Sequence, residues 1–265
     1  MALIHQLTLP LLIFTFESLK FLGGVGILFI QTFKEVGSKP IYWRLVAEQI
    51  YHIGVKSLPL IAITAGSTGM VMSLQFGLGL EKFGGKLYVP KLVAVIILRE
   101  MGPVFTSLML AARVGAGMAS EIGSMVVTQQ VDAIRAMGTS PIRKIVIPRV
   151  LACLITLPIL VAIANIIGNW GGLIIGSSEL NLDGSFYLQK VLSTSNLSDY
   201  LSGFGKTFFF AIFIVFPACF FGLNVGHGTK EVGIATTKAV VVSSILILIG
   251  DFVLSKLFWV IERAV

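Results

Sequence analysis

Two charged residues, Arg99 and Glu100, lie side by side inside an apolar stretch that covers Leu92–Ala112. An ionised side chain at the centre of a bilayer costs about 2.5–3.5 kcal/mol on insertion scales, so each needs a partner or water. Neighbouring side chains diverge by about 100° on a helix, and these two therefore cannot pair face to face. Lys206 and Asp251 have the complementary signs. We expect Glu100 to pair with Lys206 and Arg99 with Asp251, or the crossed arrangement.

A proline follows these charges closely, at Pro103. Proline removes one helical hydrogen bond, so it should bend the helix near Arg99. Two interpretations of the charges stay open. They are structural ion pairs, or they form a polar site on a substrate pathway.

The composition around these residues is that of a membrane protein. Of the 265 residues, 55% are hydrophobic and only 12% are charged, whereas a soluble domain needs about a quarter charged residues to cover its surface. The mean hydropathy is +0.93. We therefore predict an all-α integral membrane protein with five transmembrane helices. The apolar segments are Leu58–Leu80, Leu92–Ala112, Val150–Ile175, Thr207–Val225 and Ala239–Val260.

The net charge of +7 does not indicate a nucleic-acid partner, because the basic residues flank the apolar segments, as lipid head groups require. The three histidines are scattered and no Cys/His cluster accompanies them, so we expect neither a metal site nor a cofactor. Basic residues are more frequent in the segments that face the cytoplasm if the N-terminus is cytoplasmic, which favours that orientation.

The N-terminal part, 1–55, is predicted to be an amphipathic segment that precedes a membrane-spanning domain at 56–265. Within it, Leu7–Ile30 is apolar but carries polar residues at helical spacing, which favours a helix lying in the membrane interface. A spanning helix and a signal peptide are the alternatives. The polar stripe consists of Glu17, Lys20, Gly24, Gln31 and Lys34.

A polar segment at 128–137 separates two apolar stretches and has the pattern of a short amphipathic helix. Thr128 is its predicted N-cap, Gly138 suits a left-handed end, and Pro141 prevents continuation. On periodicity alone this is a solvated loop helix, but it equally suits docking into a partner's groove. Its apolar face carries Val127, Val131, Ile134 and Met137, and its other faces carry Gln129, Gln130, Asp132 and Arg135.

Several motifs between residues 98 and 150 resemble the MlaE/YrbE permease family. They are Leu98-Arg-Glu-Met-Gly-Pro, Ala112-Arg-Val-Gly-Ala, Ser120-Glu-Ile-Gly-Ser-Met, Thr128-Gln-Gln-Val-Asp-Ala-Ile, Met137-Gly-Thr-Ser-Pro and Ile147-Pro-Arg. A looser likeness continues through Trp170-Gly-Gly, Ala235-Thr-Thr-Lys-Ala-Val and Gly250-Asp-Phe.

The resemblance implies a non-catalytic permease subunit of a lipid-transporting ABC complex in a bacterial inner membrane. It implies a homodimer that moves phospholipid between the inner and outer membranes and so maintains outer-membrane lipid asymmetry. The implied partners are a cytoplasmic ATPase of the MlaF type, a periplasmic MCE-domain protein of the MlaD type and a small STAS-type subunit of the MlaB type.

The resemblance also implies two sets of functional residues. The expected coupling helix, which would take up the motion of the ATPase, carries Thr128, Gln129, Gln130, Val131, Asp132, Ile134, Arg135 and Met137. The expected lipid pocket is lined by Met72, Gln75, Phe76, Leu80, Phe83, Arg99, Glu100 and Met101. One departure concerns Gln129, where the family often has glutamate, so a carboxylate that could pair with the ATPase is absent.

Other functions remain open at the level of sequence. An ion- or proton-coupled secondary transporter would use Arg99, Glu100 and Asp251 as a relay, although five spans without an obvious repeat are unusual for that class. A permease for a sterol or another apolar solute is a further alternative. A membrane scaffold that transports nothing is disfavoured, because charged residues inside the spans are costly to insert and a scaffold does not need them.

Overall fold

The computed structural model describes the backbone of residues 2–38, 41–226 and 228–264, and the side chains of residues 16, 19–37, 41–226 and 228–263. Helices account for most of these residues, as predicted. They are α1 (Ala2–Ser38), α2 (Trp43–Ile53), α3 (Leu58–Glu81), α4 (Val89–Ile96), α5 (Gly102–Leu110), α6 (Ala116–Val127), α7 (Gln130–Ala136), α8 (Ile147–Ser178), α9 (Gly184–Thr194), α10 (Leu197–Leu223) and α11 (Thr229–Ala264).

Five continuous helical segments in the described chain are long and apolar enough to cross a membrane, which confirms the predicted number. Short 3₁₀ or π-helical turns join the shorter helices into these spans, so the observed helices extend beyond the apolar segments. The spans are Trp43–Glu81, Lys86–Val127, Ile142–Ser178, Leu197–Leu223 and Thr229–Arg263.

Helix α8 lies at the centre of the bundle and packs against α3, α2, α5 and α10. It approaches α3 most closely at Gly69 and Gly168, where a Cβ on Gly69 would lie 1.8 Å from the Gly168 carbonyl oxygen. Most apolar side chains on its inner faces, including Leu157 and Val161, are buried in the main core. The first, second and fourth spans therefore pack directly on α8, whereas the fifth span, α11, packs on α10 and α6.

Helix α1 packs across one end of the bundle. Phe21 stacks on Phe221, Phe29 contacts Phe216, and the Ser140 hydroxyl donates to Glu35 at 2.6 Å. These contacts involve the C-terminal part of α10 and the segment before α8. The placement of α1 in the membrane interface stays a prediction.

The faces of α1 differ in one respect from the predicted polar stripe. Lys20, Gln31 and Lys34 are exposed, but Gly24 faces the protein, where a Cβ would lie 2.3 Å from the Phe220 ring. Gly24 thus permits close packing and is not part of a water-facing surface. The Glu17 side chain lies outside the described residues.

The segment between the third and fourth spans forms α9, which packs on α4 and α8 at the opposite end of the bundle. The Asp183 carboxylate caps its start by accepting the Phe186 amide at 2.9 Å. The hydroxyl of Ser185 and this amide both stabilise the ionised form and hold the pKa of Asp183 below its usual range. Tyr187 is fully buried against the glycine surface of α8, which anchors α9.

Candidate functional site

Lys206 forms the centre of a buried ion cluster. Its side chain is 0% exposed, and its Nζ donates to Glu100 Oε2 at 2.7 Å and to Asp251 Oδ1 at 2.9 Å. It also lies 2.6 Å from the Ser255 hydroxyl. The second, fourth and fifth spans thus meet at one ammonium group. The predicted pair of Glu100 with Lys206 is present, and Asp251 joins it as a second carboxylate.

The backbone beside this cluster is irregular because of Pro103. Proline has no N–H to offer the carbonyl four residues earlier, which is that of Arg99. The chain forms a π-helical turn over Ile97–Met101, and the Arg99 carbonyl accepts a bond from Lys206 Nζ at 3.1 Å. Gly203 makes this contact possible, because a Cβ there would lie 2.0 Å from the Leu98 carbonyl oxygen.

The Arg99 side chain has other partners than those predicted. Its Nε pairs with Asp199 Oδ1 at 3.1 Å, and its terminal nitrogen pairs with the Glu262 carboxylate. The predicted pairing of Arg99 with Asp251 is wrong. Of the crossed arrangement, the pair of Lys206 with Asp251 is present, whereas Arg99 does not pair with Glu100. The guanidinium points away from Lys206 since successive helical side chains diverge.

Sequence reasoning missed Asp199, Ser255 and Glu262. Helical spacing offered a signal for all three. Asp199 lies seven residues before Lys206, and Ser255 and Glu262 lie four and eleven residues after Asp251, so each falls on the same helix face. The two cations and four carboxylates of the cluster carry a formal charge of −2, whereas the predicted four-residue network was neutral.

A groove of about 390 Å³ opens beside the cluster, between the π-helical turn, α10 and α11. Arg99, Glu100 and Ser255 form a polar wall, while Phe252 and Trp259 form an aromatic wall. Both aromatic residues are largely exposed, at 71% and 48%. A molecule with a polar head and an apolar body would match these two walls.

The structure divides the predicted lipid-pocket residues among four places within one chain. Met72, Phe76 and Leu80 pack against the smaller core of α4, α9 and the α8–α9 connection. Gln75 and Phe83 are exposed, and Phe83 is 85% exposed. Met101 lines a small cavity with Thr64 and Thr68, whereas Arg99 and Glu100 line the groove described above.

The predicted coupling segment contains α7, but its start differs from the prediction. Thr128 ends α6 by donating its hydroxyl to the Ser124 carbonyl at 2.8 Å, so it is not the N-cap of the next helix. Gln129 adopts a left-handed conformation with φ 60° and begins the turn into α7. Gly138, with φ +72°, ends α7 as predicted, and the Gly138 and Thr139 amides satisfy carbonyls of its last turn.

Helix α7 presents its apolar face to its own chain. Val131 and Ile134 are 3% and 6% exposed and belong to the main core. Asp132, Arg135 and Met137 are exposed on the outer surface. The two apolar residues therefore anchor the helix, and a partner would meet the opposite face.

Polar contacts fix the surroundings of α7. Arg149, at the start of α8, pairs with Glu121 of α6 at 2.8 Å and donates to the Ile145 carbonyl at 2.8 Å. The Arg149 side chain is only 6% exposed. This ion pair joins the two helices that flank α7.

Comparison with known proteins identifies the family. The model of the permease MlaE family matches residues 46–257. The chain is 39% identical over 246 residues to a probable ABC transporter permease protein of Rickettsia typhi, covering 92% of this chain and 95% of the relative. It is 35% identical over 219 residues to the intermembrane phospholipid transport system permease protein MlaE of Haemophilus influenzae, covering 82% and 84%.

A more distant relative, the chloroplast protein TRIGALACTOSYLDIACYLGLYCEROL 1 of Arabidopsis thaliana, is 31% identical over 219 residues, which is 83% of this chain and 63% of that protein. The family match includes α7, most of each of the five spans, and every residue of the ion cluster except Glu262. The chain is a multi-pass membrane protein that belongs to the MlaE family of ABC transporter permeases.

Proposed function

We propose that this chain is the membrane subunit of an ABC transporter that moves phospholipid between the inner and outer membranes and so maintains outer-membrane lipid asymmetry. Its relative in Haemophilus influenzae carries phospholipid transport in its name. The observation that carries the proposal is the groove beside Lys206, in which a charged wall faces an aromatic wall. A phospholipid has the matching division between its head group and its acyl chains.

The proposal assigns a direction to the bundle. The N-terminus and α7 face the cytoplasm, while α9 and the ion cluster lie in the half of the bundle toward the periplasm. The chain resides in the inner membrane as a homodimer. An ATPase of the MlaF type contacts α7, a periplasmic MCE-domain protein of the MlaD type receives or delivers lipid, and a small STAS-type subunit of the MlaB type accompanies the ATPase. ATP hydrolysis belongs to the ATPase chain.

The outer face of α7 and the ion pair behind it support this assignment. An exposed surface around Asp132 and Arg135 is available to a partner, and the buried side chains on the other face hold the helix to the bundle. The proposed lipid-pocket residues of α3, including Met72 and Leu80, lie on a different part of the chain from the groove. In this proposal they contribute to a cavity completed by the second copy.

The test is ATP-dependent transfer of a fluorescent phospholipid from vesicles that contain the permease with its ATPase and MCE-type partners. Ser202 lines the groove, and its neighbour Leu201 is 54% exposed on the outside of the same helix. A Ser202→Phe variant fills the groove and should abolish transfer, whereas Leu201→Phe adds the same ring outside it and should retain transfer. Equal transfer by both variants would exclude the groove from the lipid path.

Transfer of a sterol but not of phospholipid by the wild-type complex would instead reassign the substrate. In that case both the phospholipid proposal and the role of the polar wall would be wrong.

A further inference from the structure

A second polar groove lies at the end of the bundle that carries α7, and it shares no lining residue with the groove beside Lys206. It measures about 300 Å³ and opens between α2 and the helical segment that leads into α6. Its polar wall contains His52, Lys56 and Arg113, and its apolar floor contains Val114 and Met118. Neither the ion cluster nor α7 contributes to it, so the proposed transport function leaves it unexplained.

Within the part of the chain that the structure describes, Lys56 and Arg113 of this groove have no acidic partner. Arg113 donates through Nη1 to the Ser57 hydroxyl at 2.7 Å, and Lys56 Nζ lies 3.2 Å from His52 Nδ1. A lysine ammonium can only donate, so the ring nitrogen of His52 accepts this bond. Throughout residues 41–226 and 228–263, no carboxylate forms an ion pair with Lys56 or Arg113.

Glu121 also lines the groove but does not neutralise these cations. Its carboxylate is paired with Arg149 at 2.8 Å, on the side of α6 that faces α8. The charges of Glu121 and Arg149 cancel each other. The groove therefore retains a formal charge of +2 from Lys56 and Arg113.

The depth of the groove in the membrane follows from the first span. Lys56 lies two residues before Leu58, where a charge-free stretch of more than 20 residues begins. Arg113 lies at the same depth because it bonds to Ser57, the residue between them. An apolar segment of that length crosses the hydrocarbon core, so the two cations lie at its boundary, where lipid phosphates are found.

We propose that this groove binds a phosphate group at the membrane boundary. Phosphate oxygens are the acceptors that a lysine ammonium and the free nitrogens of an arginine guanidinium bind best. The apolar floor formed by Val114 and Met118 matches the glycerol and upper acyl part of a lipid. The same chemistry would also hold a soluble phosphate, and the experiment separates the two sources.

The experiment uses the full chain, purified in a neutral detergent and delipidated, with bimane attached at Gln49→Cys. Gln49 lines the groove, and the two natural cysteines are buried, so the fluorescence reports on this groove and not on the one beside Lys206. The titrants are dioleoylphosphatidylglycerol, dioleoylglycerol, which lacks phosphate, and inorganic phosphate. The first should bind with saturation, and the second should not.

Charge-removing variants in the same labelled background test the assignment. Lys56→Gln should weaken binding of phosphatidylglycerol about tenfold, and Lys56→Gln with Arg113→Gln about a hundredfold, since each removes a charged hydrogen-bond donor. Lys34→Gln with Lys144→Gln removes two exposed cations from the same end of the bundle and should leave binding unchanged. The single variant Lys56→Gln removes one hydrogen bond to His52 and one contact with the Tyr51 ring. Binding by this single variant therefore tests the proposal even if the double variant does not fold.

Saturable binding of inorganic phosphate that is lost in Lys56→Gln supports the phosphate site and assigns it to a soluble ligand, whereas binding of phosphatidylglycerol alone assigns it to a lipid. Equal binding of phosphatidylglycerol by the two double variants would overturn the proposal. So would dissociation of a dimer by Lys56→Gln with unchanged lipid binding, because the groove would then be an interface between copies. None of these outcomes depends on transport.

Discussion

Lys206 donates a hydrogen bond to the backbone carbonyl of Arg99 at 3.1 Å. That carbonyl is free because Pro103, four residues later, has no N–H to give it. One side chain thus satisfies a backbone acceptor and two carboxylates, those of Glu100 and Asp251. The irregular helix and the ion cluster depend on each other, because without Lys206 the π-helical turn would bury an unpaired carbonyl.

The first prediction concerns Lys206. A Lys206→Met variant leaves two carboxylates without a cation and removes the side-chain donor of the Arg99 carbonyl, and breaking a buried pair in this way costs about 3–5 kcal/mol of unfolding free energy. The carboxylates retain some exposure, so we expect about 3 kcal/mol, measured by unfolding in mixed micelles. Lys256→Met, which removes an exposed cation from the same region, should have little effect.

A triple variant completes that test. Lys206→Met combined with Glu100→Gln and Asp251→Asn removes all three charges and should recover most of the lost stability, because uncharged groups cost much less to bury. Exchange of Glu100 and Lys206 should not recover it, since a glutamate at position 206 would face Asp251. A Lys206→Met protein as stable as the wild type would contradict the central role of this ammonium.

The second prediction separates the two faces of α7. Ala133→Glu with Ala136→Glu places charges on the exposed face and should leave the permease folded while reducing the recovery of the ATPase in co-purification at least about tenfold. Val131→Asp with Ile134→Asp places charges in the core and should prevent recovery of a monodisperse permease at all. Full recovery of the ATPase with the Ala133→Glu, Ala136→Glu variant would show that the outer face of α7 is not part of the interface.

The sequence predicted the parts of the fold that composition determines. Apolar segments long enough to cross a bilayer predicted five spans, because irregular backbone cannot face lipid. The end of α7 at Gly138 was also predicted, since a glycine there allows the left-handed conformation that stops a helix. The start of α7 was predicted wrongly. Thr128 can cap α7 or end α6, and in the structure its hydroxyl donates to the Ser124 carbonyl of α6, a choice that the local sequence does not decide.

The partners of the charged residues were predicted only in part. The signs of the charges and their positions within the apolar segments predicted that Lys206, Glu100 and Asp251 interact. The direction in which each side chain leaves its helix depends on packing between spans, which the sequence does not give. Arg99 is therefore turned toward Asp199, which lies in the first turn of α10, before the apolar segment predicted at Thr207–Val225. In the same way, Val131 was predicted to face a partner because one chain's periodicity does not say which molecule covers an apolar face.

The third prediction is a pH dependence of α9. The pKa of Asp183 is lowered in the folded protein by the Ser185 hydroxyl and the Phe186 amide, so its ionised form stabilises the start of the helix. This contribution is fully present above the ordinary aspartate pKa of about 3.9 and is lost as pH falls through the lower folded value. Amide exchange of 184–194, corrected for intrinsic rates, should therefore rise only in strongly acidic solution.

Asp183→Asn provides the control for this titration. Asparagine keeps a side-chain acceptor for the cap but does not ionise in this range, so the extra acid-induced exchange of α9 should disappear. Acid-induced exchange of the same size in Asp183→Asn would show that another group is responsible.

The last prediction concerns the attachment of α1 to the bundle. A Cβ at Gly24 would lie 2.3 Å from the Phe220 ring, whereas a Cβ at Gly23 would meet nothing within 4 Å. Gly24→Val and Gly23→Val change helix propensity equally, so they differ only in this contact. Gly24→Val should displace α1, and a cysteine placed at Leu28, which is 7% exposed, should then react with a water-soluble maleimide several times faster. Gly23→Val should leave Leu28→Cys protected and Lys34→Cys reactive. If Leu28→Cys reacts at the same rate in both variants, α1 is held by contacts other than the one that Gly24 makes with Phe220.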